Sequence, residues 1–168
     1  MNGDNFEIER KFLIRYPDRG WLFARAEVTE ITQTYLCSPA PGHTARVRKR
    51  GVDGHYVYTH TVKQRINDMR RIEIEREISE GEYEELLQQA DPKRQVIHKH
   101  RCCLPYRDQL FEIDLFPFWE DRAIMEIELL DEAQAVDFPP EIEILREVTG
   151  DKRYTNASMA KEIPQEQI

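Results

Sequence analysis

A chain of 168 residues is long enough for one domain with a sizeable core, and a net charge of −8 with a pI near 5.2 argues against nucleic acid as its main partner. Mean hydropathy is −0.70, and no apolar run approaches the roughly 20 residues of a membrane helix, so a membrane partner is not expected. Cys37, Cys102 and Cys103 lack zinc-type spacing and, with no signal peptide read ahead of the first strand, they suit reduced thiols in a cytoplasmic protein.

In chain order, strand-like alternation predicts a first strand over 6–14, then a weakly patterned helix over 17–26 carrying Trp21, Leu22 and Arg25. Strands follow over 30–37, 44–50, 56–63 and 70–78, separated by turn chemistry at 39–42 and 51–54. Ser79 and Glu82 form a capping box for a helix reaching Ala90, where Asp91-Pro92 ends it. Further strands are expected over 96–104, 109–116 and 123–130. A second helix is read after Asp131, with Gln134 as capping partner, stopping before Pro139-Pro140, and a last one over 156–162. Short sequential connections favour antiparallel neighbours, and no repeat or linker divides residues 1–168.

The charge on these strands comes in period-2 pairs. Glu7, Glu9 and Lys11 share one face of the first strand, because successive side chains alternate and next-but-one residues stand roughly 6.5–7 Å apart. Arg46 and Arg48, Glu73 and Glu75, Lys99 and Arg101, Glu112 and Asp114, and Glu126 and Glu128 repeat the pattern, with aliphatic residues between many of them. Two arrangements satisfy it. Charged faces turned outward give an ordinary sandwich with a greasy centre. Charged faces turned inward give a closed eight-stranded barrel with a polar interior, wide enough for side chains or one small ligand, and with its apolar exterior covered by helices. Composition and period alone do not separate the two.

The chemistry of the pairs is more specific. Carboxylates in pairs suit a hard cation completed by waters and phosphate oxygens, while guanidinium and ammonium groups grip phosphates. Acids holding metal opposite bases holding phosphate is the arrangement phosphoryl transfer needs.

Glu7-Ile8-Glu9-Arg10-Lys11 resembles the ExExK signature of the CYTH superfamily, the triphosphate tunnel metalloenzymes. Arg46-Val47-Arg48, Lys63, Glu73-Ile74-Glu75, Lys99-His100-Arg101, Glu112-Ile113-Asp114 and Glu126-Ile127-Glu128 follow in the order of that family's strands, and 151–156 is similar to the segment before a tunnel-plugging helix. The resemblance covers nearly the whole chain. It implies an α+β fold built on a closed eight-stranded antiparallel barrel, open at both ends, with a few helices outside. It also implies a small-molecule triphosphate substrate and Mg²⁺ or Mn²⁺, two ions in all, with inorganic triphosphate leading among the short single-domain bacterial members. Adenylate cyclase, thiamine triphosphatase and a non-catalytic polyphosphate-binding module remain alternatives, and a homodimer is left open.

On this resemblance the metal ligands are Glu7, Glu9, Asp114, Glu126 and Glu128, with Glu73, Glu75 and Glu112 as further tunnel acids. Arg46, Arg48, Lys63, Lys99 and Arg101 bind substrate, Lys11 and Lys63 also act in catalysis, and Tyr35 aligns with a tyrosine proposed as proton acceptor. Beside these, His98 and His100 fall on the opposite face from Lys99, Trp21 and Trp119 read as packing residues, and Arg71 serves either an acidic strand or a phosphate. An outer-membrane barrel also alternates in this way, but the capped helices and the outward Arg10 and Arg76 speak against it.

Overall fold

The computed structural model describes residues 6–168. Its strands are β1 (Phe6–Arg15), β2 (Glu27–Tyr35), β3 (His43–Val52), β4 (His55–Arg65), β5 (Arg70–Ile78), β6 (Ile97–Tyr106), β7 (Gln109–Leu115), β8 (Arg122–Glu128) and β9 (Ile144–Glu147). The helices are α1 (Arg19–Arg25), α2 (Glu80–Leu86) and α3 (Asn156–Met159). Neighbours run β5-β4-β3-β2-β6-β7-β8-β1, all antiparallel, and β1 then meets β5 through Phe6↔Ile72, Glu7↔Arg71 and Ile8↔Arg70. That pairing closes an eight-stranded barrel. β9 adds to β1 beyond it, at Phe12, Leu13 and Ile14.

Closure settles which face points in. Ile8, Phe12 and Ile14 of β1, Cys102 and Leu104 of β6, Phe111 and Ile113 of β7 and Met125 and Ile127 of β8 form an apolar layer outside the barrel. Burying such side chains stabilises by roughly 1.5–3 kcal/mol each, so this layer must be covered. α1 contributes the fully buried Leu22, with the Asp18 carboxylate accepting from the Trp21 N–H as N-cap. Val136 and Phe138 cover the layer elsewhere, Phe138 meeting Phe12 edge-on at 5.0 Å between ring centres. α2, capped by Ser79 on the Glu82 N–H as expected, lays Tyr83 over Val47, Ala45 and Ile78.

Several expectations are corrected. Residues 131–139 form a turn and an extended strap, not a helix. Asp131 caps only the Ala133 N–H, the Gln134 amide oxygen accepts from the Leu130 N–H, and Asp137 is fixed by a reciprocal backbone pair with the Gln109 side chain. These bonds satisfy the backbone in extended form and let Phe138 reach the barrel. The last helix stops at Met159 rather than 162, and β9 was not anticipated. The barrel is not open at both ends, and the plugging helix expected after 151–156 is present. At one end the inward positions become Leu13, Tyr35, Ile97, Phe116 and Ile124, packed with Trp119, Tyr154, Met159 and Ala160, so that end is filled by an apolar plug under α3. Among the described residues no helix is long and apolar enough to cross a membrane.

Candidate active site

The inward face above the plug lines a cavity of about 380 Å³. β1 supplies Glu7, Glu9 and Lys11, β3 supplies Arg46, Arg48 and Arg50, and β4 supplies Thr61, Lys63 and Arg65. β5 contributes Arg71, Glu73 and Glu75, β6 Arg101, β7 Glu112, and β8 Glu126 and Glu128. Tyr35 and the start of α3, Thr155, Asn156 and Ala157, form its floor. One strand register thus gathers residues up to 121 positions apart, from Glu7 to Glu128.

Register also decides who meets whom. Lys11 lies opposite Glu126, 3.3 Å between Nζ and Oε1, and its ammonium donates to the Tyr154 carbonyl at 3.2 Å. Lys63 lies opposite Glu73 at 3.6 Å and reaches Glu7 at 4.0 Å. Arg71 takes the salt-bridging option, its Nη2 2.8 Å from Glu9 Oε1. Arg101 pairs with Glu112 at 2.6 Å, and Thr61 donates to Glu75 at 2.8 Å. The interior is a lattice of alternating charge.

Two expected site residues are withdrawn from the cavity surface. Lys99 Nζ donates to Asp114 Oδ2 at 2.7 Å, and Arg101 grips both Asp114 oxygens at 2.8 and 2.9 Å. The Lys99 side chain is 0% exposed and that of Asp114 2%, so each is spent on the other beneath the channel wall. Burial alone would push the Asp114 carboxyl up, but the charges of Arg101 and Lys99 outweigh it and hold it well below the ordinary carboxylate range. Both Asp114 oxygens are thus engaged by protein cations, with Lys99 as one of its two counter-charges.

The remaining carboxylates divide by environment, not all rising as a uniform acidic cluster would. Burial, then a hydrogen bond with Glu73, carries Glu7 up to about 9. Burial also raises Glu73, yet that hydrogen bond from Glu7, with Lys63 and Arg46, brings it down to about 2. Glu9 is raised by burial and by the charge of Glu126, and Glu128 by burial and by Glu112. Glu126 goes the other way, because Lys11 and Arg101 overcome its burial. On the basic wall, burial and the neighbouring Arg46 and Arg101 lower Arg48 to about 9, and burial with Arg46 lowers Lys63 to about 8. Cations crowded and desolvated in this way gain from a polyanion between them.

A hard cation fits the acidic wall. Glu7 Oε2 is buried and accepts no hydrogen bond, with Lys63 and Arg71 each 4.0 Å away, which leaves it an acceptor position for a shared proton, a water or a cation. The donors on β1 and β8 are all carboxylate oxygens, in a register that puts Glu9 directly opposite Glu128. Among the described residues no three ligating side chains already converge on one point. Mg²⁺-type sites use one or two carboxylates and leave the rest to water and phosphate, so none is required.

Sequence reasoning passed over Gln33, Thr61, Arg50 and Asn156. The signal for Gln33 was present: it stands two residues before Tyr35 and therefore on the same face. His98 and His100 lie on the outer face as expected, near Thr32 and Glu30, and Arg10 and Arg76 pair outside with Glu147 and Glu82.

The sequence profile of the CYTH domain matches residues 5–152. The chain is 34% identical over 160 residues to an inorganic triphosphatase of Nitrosomonas europaea, covering 94% of this chain and 99% of the relative. It is 39% identical over 102 residues to an inorganic triphosphatase of Acetivibrio thermocellus, covering 60% and 64%. Its fold superposes on the crystal structure of the inorganic triphosphatase NE1496 with a TM-score of 0.60 at 33% identity, over 95% and 97% of the two chains. With a profile spanning most of its length and a 34% identical relative matched over nearly the whole of both chains, the chain belongs to the CYTH family.

Proposed function

We propose that this protein is a divalent-metal-dependent triphosphatase that hydrolyses inorganic triphosphate to pyrophosphate and phosphate. The observation that carries the reading is a single cavity with carboxylates on β1 and β8 facing guanidinium and ammonium groups on β3, β4 and β6. The relatives named as inorganic triphosphatases support it, one of them over nearly its full length.

In this reading Arg46, Arg48, Lys63 and Arg101 hold the phosphate chain. Arg46 Nε is buried and has no hydrogen-bond partner among the described residues, which leaves a donor free for a phosphate oxygen. Lys11, steadied by Glu126 and the Tyr154 carbonyl, faces the acidic end of the chain. Glu7, Glu9, Glu126 and Glu128 are the ligands proposed for Mg²⁺ or Mn²⁺. Such ions would supply charge neutralisation at the phosphate oxygens and a more acidic water. Water oxygen bonds to the terminal phosphorus, the bridging P–O bond breaks, pyrophosphate leaves, and the water proton passes to a channel carboxylate or to solvent. The basic wall absorbs charge as the bridging oxygen departs.

The test is direct. The protein is incubated with inorganic triphosphate, ATP or thiamine triphosphate, with Mg²⁺, Mn²⁺ or a chelator, and every product is identified. Divalent-dependent phosphate release, fastest from inorganic triphosphate, is expected. Cyclic AMP and pyrophosphate as the main products of ATP would assign a cyclase instead, and binding without turnover of any of the three would assign a polyphosphate-binding module.

A further inference from the structure

We infer that Gln33 is a positioning residue of this channel, fixing the guanidinium of Arg48 and turning the hydroxyl of Tyr35 into a hydrogen-bond donor toward substrate phosphate. The inference rests on the triphosphate reading above and adds roles to it. Gln33 is completely buried on the inner face of β2, in register with Arg48, and Tyr35 follows on the same face in register with Arg46.

The hydrogen bonds have one consistent assignment. Arg48 has donors only, and its Nε and Nη2 stand 3.3 and 3.0 Å from one end of the Gln33 amide. That end is therefore the oxygen, and the amide nitrogen faces the Tyr35 hydroxyl at 3.2 Å. An amide nitrogen only donates, so the phenol oxygen accepts there, and the Tyr35 proton must point elsewhere. No described side chain accepts it. Tyr35 is 4% exposed, its ring packed in the apolar plug, and it borders the cavity. Its proton is left for an acceptor in the channel, and a phosphate oxygen of the substrate is the charged acceptor that would enter there.

Two consequences separate this from a proton-accepting tyrosine. Tyr35 donates to a phosphoryl oxygen and keeps its proton, so the proton of the attacking water leaves by the acidic wall. Gln33, which does not line the cavity, acts through its neighbours, coupling the grip of Arg48 to the direction of the Tyr35 hydroxyl.

A double-mutant cycle tests this, with kcat, KM and melting temperature read for every variant. Tyr35→Phe alone is expected to lower kcat by about tenfold, the worth of one charge-assisted hydrogen bond. In Gln33→Met, where the hydroxyl is no longer aimed, adding Tyr35→Phe should change kcat by less than about twofold. Gln33→Met should also raise KM by about tenfold through a loosened Arg48. Should Gln33→Met fail to fold, Gln33→Glu carries the cycle, since its carboxylate keeps an acceptor for Arg48 and draws the Tyr35 proton to itself. A merely structural glutamine would lower the melting temperature while the effect of Tyr35→Phe stayed the same in both backgrounds, and that would overturn the inference, as would full activity of Tyr35→Phe. If the unaltered protein turned over no triphosphate, the functional reading and the Tyr35 role would fall together. Calorimetry with inorganic triphosphate would still judge the Arg48 role, and unchanged affinity in Gln33→Met would reject it.

Discussion

Asp114 shows how much of the site is decided by single contacts. On its strand it is indistinguishable from Glu112, two residues away on the same face, and both read as channel acids. Yet Glu112 borders the cavity, while Asp114 is enclosed by Lys99 and Arg101. Asp114→Asn should therefore destabilise the protein by about 3–5 kcal/mol, because two cations lose their buried counter-charge. The pH dependence has a definite sign. The folded carboxyl titrates below its unfolded value of about 3.9, so its contribution is complete above that value and is lost as pH falls toward the folded pKa. Denaturation of both proteins at pH 7 and at pH 3 checks this: the gap between them should narrow in acid. A gap unchanged with pH would mean that the pairing does not hold Asp114 ionised. Most of the inward charges were legible in the sequence, Arg50 and Arg65 excepted, but their partners were not. Partners such as Lys63 and Glu73, or Arg71 and Glu9, are set by register and closure, which no local pattern encodes.

At the scale of elements, the strands were legible because one face of each is charged and the other aliphatic, while the strap over 131–139 was not. Asp131 and Gln134 have helix-capping spacing, and only the Gln109 pair and the pocket for Phe138 select extended chain. β9 escaped for a similar reason. Its four residues bond along β1 next to Lys11, whose carbonyl accepts from the Val148 N–H, and it has no face pattern of its own. The strap matters because it covers apolar barrel wall. Phe138 is half-buried and also lies 6.1 Å from the ring of Phe111, so Phe138→Ala should cost about 2–3 kcal/mol, somewhat less than a fully buried phenylalanine. Urea unfolding measures the loss. Because Phe138 lies outside the barrel wall, triphosphate KM should stay within about twofold of the unaltered protein. A large rise in KM at unchanged stability would mean that the strap acts on the channel and not on the fold.

The whole molecule is a closed wall around opposed charges, and this governs how it should respond to ligand. Basic groups left to repel one another would let triphosphate alone stabilise the fold strongly. Several of them are not left alone in the structure: Lys63, Arg71, Arg101 and Lys11 each hold a carboxylate, so triphosphate must displace an acid for each of these that it takes. A divalent ion faces the converse, since Glu9 and Glu126 are already engaged by Arg71 and Lys11. Added together, each ligand releases the groups the other needs, and linkage makes that advantage reciprocal. The melting temperature should therefore rise modestly with triphosphate or Mg²⁺ alone, and with both by more than the sum of the separate shifts. Saturation at a hundredfold excess over Kd corresponds to about 2.7 kcal/mol for a single ligand, large enough to resolve. At about 0.15 M salt, where screening acts within roughly 8 Å, charges on an exposed sheet would show little of this, while an enclosed channel would retain it. Additive shifts would mean that acids and bases bind their ligands independently, and the charge lattice would then have no part in assembling the site.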